Sequence, residues 1–399
     1  MLSPHDRVFH TLCMEEPDRV PIFEPYGISG PTADAVLGRQ CLATNPLLTA
    51  KMLSGGKVEE VRKAVVKDNY DIVKNVGFDA GAILLLPTQD DPRPVMVGED
   101  SWVEYQVAGT SYVWVGGRSV IKMTENTQIP LAVDSDILRR GIAGFEDYVT
   151  KLEEVSAEEY EEKMVPKFHD YYENLGKLWR ELKVLVQFAL EGTATPHGGG
   201  WYPTYLAAFY ARPNLMKRYL SQHIAKMVKL VKLAADFGAE LIYSGGDIAH
   251  NDGPMMSPKI YHDFLLPGLR KLADAAHKKG MFIFNSSDGN LWPIMEDFLI
   301  NSSMDGYMEI QESASMDITK LKDKYGEQIC FNGSVDSQSV LVYGSPDDVK
   351  RETKRVINIL SSGGGHILSS SNSIYPGVKP ENFFAMLEIG RKYGRYKAS

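Results

Sequence analysis

Asp247 and His250 close the segment Gly246-Asp247-Ile248-Ala249-His250, directly after the apolar run that ends at Tyr243. Asp288 lies in the turn Asn285-Ser286-Ser287-Asp288-Gly289-Asn290, after Met281-Phe282-Ile283-Phe284. Glu309 and Glu312 follow a sixth apolar run. Asn332 and Asp336 flank the end of a seventh, Glu191 follows a third, and Glu24 and Tyr26 follow the first. Carboxylates crowded at one apolar mouth raise at least one another's pKa, which keeps a proton available near neutral pH for general-acid work. Asp247, His250, Asp288 and Glu309 are the catalytic candidates. As a hard-ligand set they are also weak metal candidates, because no tight ligand spacing occurs within any one segment. Tyr26, Glu191, Asn332, Trp201 and Tyr375 are the substrate-binding candidates, the aromatic ones by sandwiching a ring. Plainer roles compete: Asp247 as a helix cap, Asn332 as a turn brace, and Asp336 as an N-cap, which is favoured. His197, on the glycine loop Thr195–Trp201, either closes over a ligand or sits in an ordinary connection.

Such residues become a site only if the strand ends converge. Eight apolar segments fit strands: Arg19–Pro25, Ala80–Leu86, Val184–Leu190, Glu240–Ser244, Met281–Asn285, Gly306–Ile310, Gln328–Asn332 and His366–Ser370. Most lack alternation, as in strands buried on both faces. Helical segments separate them: Leu215–Phe237 before Gly238, Pro258–Lys279 before Gly280, and Pro346–Ser361 after the N-cap candidate Ser345. The repeated strand–helix order predicts an α/β fold, a (β/α)8 TIM barrel whose C-terminal strand ends share one polar mouth. An insertion over residues 88–183 is expected between the second and third strands. It holds a β-hairpin within Trp102–Met123 and helices in Ile142–Leu182, near the barrel mouth. The whole chain, 1–399, is expected to be a single barrel domain.

The net charge of −9 and the lack of a basic cluster argue against a nucleic-acid partner. No apolar run is long enough for a membrane span. The scattered cysteines Cys13, Cys41 and Cys330, and a start without an apolar leader, suit the cytoplasm.

Asp18-Arg19-Val20-Pro21, the Gly-Gly-Asp turn, Gly253-Pro254-Met255-Met256-Ser257-Pro258, Gly333-Ser334-Val335-Asp336, Gly364-Gly365-His366-Ile367 and Tyr393-Gly394-Arg395-Tyr396 occur in this order. Together they resemble the uroporphyrinogen decarboxylase superfamily. That superfamily includes porphyrinogen decarboxylases, zinc-dependent corrinoid and thiol methyltransferases, and the methyltransferases of O-demethylases. The decarboxylases carry an arginine-rich segment after the first strand. Here Phe23–Gly30 has no arginine, so a polyanionic tetrapyrrole lacks its bidentate partners. The zinc enzymes carry His-x-Cys and a late Cys. Aligned on Gly289, those positions are Ser286 and Asp288, with the late one near Ser371 or Asn372. The soft ligands are missing, and zinc is left open.

The remaining likeness is to the O-demethylase branch. It implies a methyltransferase that moves a methyl group from a guaiacol- or vanillate-like aryl methyl ether to the Co(I) corrinoid (cobalamin) of a partner carrier protein. An acid then assists the phenolate leaving group. The alternatives are transfer from a methylated corrinoid to another acceptor, a uroporphyrinogen-decarboxylase-like lyase, and a tetrapyrrole-binding accessory module.

Overall fold

A computed structural model describes residues 1–91, 93–96, 102–106, 117–123, 128–191 and 202–396. Seven short strands form one parallel sheet in chain order. They are β1 (Ala80–Ala82), β2 (Leu185–Glu191), β3 (Leu241–Gly245), β4 (Phe282–Ser286), β5 (Gly306–Met308), β6 (Cys330–Val335) and β7 (His366–Ser370). Their runs of Ile, Phe, Tyr and Leu are buried on both faces, as parallel strands under a helical layer must be.

The expected first strand is a bridging segment instead. Asp79 N donates to Ile22 O at 3.0 Å beside β1, while Leu368 N in β7 donates to Pro21 O at 2.8 Å. Phe23 N donates to Leu368 O at 3.2 Å. Pro21 and Pro25 have no N–H, which shortens the ladder this segment can build. Even so, it joins both edges of the curled sheet, and the result is TIM-barrel-like.

Buried charges hold this seam. Asp79 has no solvent exposure. It accepts from Arg7 Nη1 at 2.6 Å, from Arg19 Nη1 at 2.8 Å and from Ile22 N at 2.7 Å. Arg7 also binds Asp18 at 2.7 Å. At the other end of the same segment, buried Glu24 accepts from Ser370 N and Ser370 Oγ, each at 2.8 Å. Burial pushes the Glu24 carboxyl up to about 8, and the Ser370 bonds offset only part of that rise.

The outer helices follow the expected segments with local departures. Pro213–Asp236 ends before Gly238, and Pro346–Leu360 starts with a Ser345/Asp348 capping box. The segment from Pro258 is broken by a π turn at Tyr261–Leu265, just before Leu266–His277. Pro267 there cannot donate to the helical ladder. In the insertion, Trp102–Gln106 pairs antiparallel with Gly117–Met123, which pairs in turn with Gln128–Ser135. The turns between them lie outside the described residues. Helix Ile142–Glu153 packs on the outer helix Pro213–Asp236, where buried Lys226 donates to Leu152 O at 2.7 Å. Among the described residues no helix is long and apolar enough to cross a membrane.

Replacing Asp79 by Asn removes the carboxylate shared by buried Arg7 and partly buried Arg19, and leaves Arg7 with Asp18 alone. We expect a loss of about 3–5 kcal/mol in urea unfolding; a loss below about 1 kcal/mol would show that the seam does not depend on this charge. Glu24 gives a pH signature. Its folded pKa lies above the ordinary 4.5, so its contribution is complete below that value and is lost as pH rises toward about 8. Wild-type stability, relative to Glu24→Gln, is therefore expected to fall across this window, and a constant difference in unfolding midpoints contradicts it.

Candidate functional site

At the C-terminal ends of the strands lies a cavity of about 190 Å³, with Tyr26, Tyr243, Asp247, Asp288, Glu309 and Asn372 in its wall. Close backbone approaches build this rim. A Cβ at Gly245 would lie 2.2 Å from Ser286 Oγ, so only glycine lets the end of β3 meet the end of β4. Gly289 has φ +89°, and a Cβ there would lie 2.7 Å from the Ala249 carbonyl carbon. Ser287 ties the two acid-bearing turns together. Its hydroxyl accepts from Ile248 N at 3.2 Å and donates to Asp288 O at 2.8 Å.

Asp288 is a perturbed acid in the cavity wall. Burial first, and then the nearby charge of Asp247, push its carboxyl up to about 6. Asn372 Nδ2 donates to Asp288 Oδ2 at 2.9 Å and to Glu309 Oε1 at 3.2 Å, so one amide clamps two acids. Glu309 is buried with φ +65°, a backbone conformation that side-chain-bearing residues adopt at a cost of about 1–3 kcal/mol. Tyr26, partly exposed, brings its hydroxyl to 3.4 Å from Ser286 Oγ.

The candidates separate clearly in space. Asp247, Asp288, Glu309 and Tyr26 meet at the cavity. His250 does not line it. It points outward, lining an open outer hollow of about 510 Å³ together with Asp247 and Asp288, and its Nδ1 accepts from Asp252 N at 3.1 Å. Asn332 lies below the cavity, fully buried. Its side chain accepts from Tyr243 Oη at 2.6 Å and donates to Ser369 Oγ at 2.9 Å and Ile367 O at 3.2 Å, so it braces the barrel interior and has no face toward a ligand. Tyr375 is also off the cavity wall and donates to Ser337 O at 3.1 Å. The backbone of Glu191 pairs with Gly245; Trp201 and His197 lie outside the described residues. Glu312 is ion-paired with Arg355, and Asp336 accepts from Gln338 N and Ser339 N, as a cap does. Asn372 and Ser287 were not among the candidates. Their signal was only their place at strand ends and, for Asn372, its alignment near a missing ligand.

The soft ligands of a thiolate zinc site are missing: the positions where thiolate relatives carry them hold Ser286, Asp288 and, near the late one, Ser371 or Asn372. Among the described residues, no group of three or more His, Cys, Asp or Glu side chains is arranged to hold a metal ion, so Asp247, His250, Asp288 and Glu309 do not form one.

Comparison with known proteins follows the same lines. The uroporphyrinogen decarboxylase (URO-D) family matches residues 197–393. The uroporphyrinogen decarboxylase of Alkalilimnicola ehrlichii is 23% identical over 208 residues, covering 51% of this chain and 53% of the relative. That of Hordeum vulgare is 22% identical over 188 residues, covering 46% and 52%. The chain thus spans about half the length of the curated relatives it matches. Among solved structures, a methyltransferase from Methanosarcina mazei shares the fold, with TM-score 0.63 and 18% identity over 98% of this chain and 99% of the other. Residues 197–393 thus resemble the uroporphyrinogen decarboxylase family, and the chain shares the fold of the Methanosarcina mazei methyltransferase.

Proposed function

We propose that this chain is a methyltransferase. It takes the methyl group of a guaiacol- or vanillate-like aryl methyl ether and passes it to the corrinoid of a partner carrier protein. The observation that carries this reading is the Asp288 carboxyl, which holds its proton up to about pH 6 in the wall of a small cavity with no cationic side chain among its lining residues.

The C–O bond to the methyl carbon breaks, and the ether oxygen keeps the electron pair. As a free phenolate that oxygen has a conjugate acid of pKa about 10, judged from tyrosine. Asp288 donates its proton to this oxygen as charge develops, leaving a neutral phenol and a carboxylate. The carboxylate is then held by Asn372. Asp247 keeps the acid weak enough to retain its proton, and Glu309, on the same Asn372 amide, accepts hydrogen bonds from substrate or water. A Co(I) corrinoid brought there by the carrier would supply the electron pair for the new bond to carbon. The outer hollow of about 510 Å³ opens onto Asp247 and Asp288, which leaves a path by which an acceptor on another protein reaches the same place.

A lyase reading draws on the names of the curated relatives. It is disfavoured by the cavity wall, where Asp247, Asp288 and Glu309 would repel the carboxylates of a porphyrinogen and, among the described residues, no arginine offsets them.

The test mixes the protein with a reduced corrinoid carrier and a panel of methoxyarenes. Loss of the Co(I) absorption with release of a phenol is expected. Decarboxylation of a porphyrinogen without ether cleavage would replace this reading with the lyase. Asp288→Asn is expected to lower the methyl-transfer rate by about 10²–10⁴-fold with unfolding unchanged, and full activity would remove this acid from the mechanism. Because the proton must be on Asp288, the rate should fall as pH rises through about 6. Asp247→Asn removes a like charge and should shift that limb to lower pH; an unmoved limb would assign it to another group.

A further inference from the structure

The cavity of about 190 Å³ is smaller than the ~300–1,000 Å³ usual for small-molecule sites. It suits a methoxy group better than a substituted ring. A second chamber, of about 360 Å³, adjoins it, and Tyr26 and Ala189 border both. Its wall is largely apolar. Ile72 and Val73 come from helix Val58–Val76, Trp179 from helix Lys177–Leu182 and Phe188 from β2, with Phe23 and Phe78 meeting edge to face at 6.1 Å.

One polar atom in this wall is left over. Gln187 is 1% exposed, and its Nε2 donates to Pro25 O at 3.2 Å, which fixes the amide orientation. Its Oε1 is buried and finds no hydrogen-bond partner among the described residues. A buried acceptor left unpaired costs about 1–3 kcal/mol, so this position calls for a donor. Among the described residues Glu24 is the one carboxyl in the wall, and burial keeps it neutral up to about pH 8, so these residues present no charge to the chamber at neutral pH.

We propose that this chamber binds the aromatic ring of an uncharged phenol, whose hydroxyl donates to Gln187 Oε1 while a neighbouring methoxy group passes Tyr26 and Ala189 into the acidic cavity. The proposal rests on the methyl-ether reading of the site and narrows it to hydroxylated rings without a carboxylate. An apolar wall solvates the ring, the amide selects the hydroxyl, and the lack of any cation among the described wall residues excludes an ionised benzoate.

Calorimetric titration of the protein at pH 7 tests this with 2-methoxyphenol, methoxybenzene and 4-hydroxy-3-methoxybenzoate. Expected are saturable binding of 2-methoxyphenol, about tenfold weaker binding of methoxybenzene, and weaker binding still of the benzoate. In Gln187→Leu the preference for the hydroxyl should vanish while methoxybenzene still binds. Val73→Phe, which fills the chamber from the helix, should abolish binding of all three with its melting temperature retained. A hydroxyl preference that survives Gln187→Leu, wild-type binding by Val73→Phe, tighter binding of the benzoate, or no binding of any ring would overturn the proposal. Ring binding with this pattern but no methyl transfer to any corrinoid would sink the functional reading alone. Methyl transfer that is indifferent to both substitutions would sink the chamber alone.

Discussion

A carboxylate shut away from water must find its counter-charges inside the protein. Asp79 finds them in Arg7 and Arg19, with the Ile22 amide as a further donor. That arrangement lies where the N-terminal segment meets β1, and on its other side the same segment is bonded to Leu368 in β7. The two edges of the sheet are therefore joined through a few residues, and the rim is a ring only because they are. Desolvating three charges is expensive, and only full mutual satisfaction makes it tolerable. The acidic cavity inherits its geometry from this closure, since Tyr26 belongs to the segment and Asn372 follows β7.

At the opposite end the physics is reversed. Asp247 and Asp288 repel; Asp247 is exposed, and the more buried Asp288 would relax toward solvent if its loop were free. Ser287 prevents that by bonding to both turns, and the close approach at Gly245 leaves no room for the strand ends to part. The repulsion that remains appears as a raised pKa at Asp288. Stability supplied by the seam and the core is used to hold two like charges together, the usual origin of a proton that stays on a carboxyl near neutrality.

Much of this was legible in the sequence for a simple reason. Runs such as Met281-Phe282-Ile283-Phe284 are apolar without alternation, and the residues that follow such strands share one end of the sheet. Asp247, Asp288, Glu309 and Tyr26 could be gathered on that ground alone. Depth along a strand could not. Asn332 is close to the rim in sequence, yet lies a layer below it, because its position depends on how β6 is staggered against β5 and β7. The bridging segment was expected as an ordinary strand; its apolar residues gave no sign that Pro21 and Pro25 would limit its ladder. Asn372 was marked only as one of two positions aligned with a missing ligand, since an amide in a serine-rich stretch looks like a connection until its two acidic partners, distant in sequence, are brought beside it. The direction of His250 was hidden for a similar reason: a histidine five residues past a strand end can face either way.

The left-handed backbone at Glu309 has a further consequence. Glycine is the residue that conformation favours, so a search for a hardier protein that ignored activity would be drawn to Glu309→Gly. It would relieve local strain and discard a carboxylate from the cavity wall. A glutamate in that conformation therefore marks a place where thermal robustness and chemistry pull against each other, and where heat tolerance alone is a misleading guide to fitness.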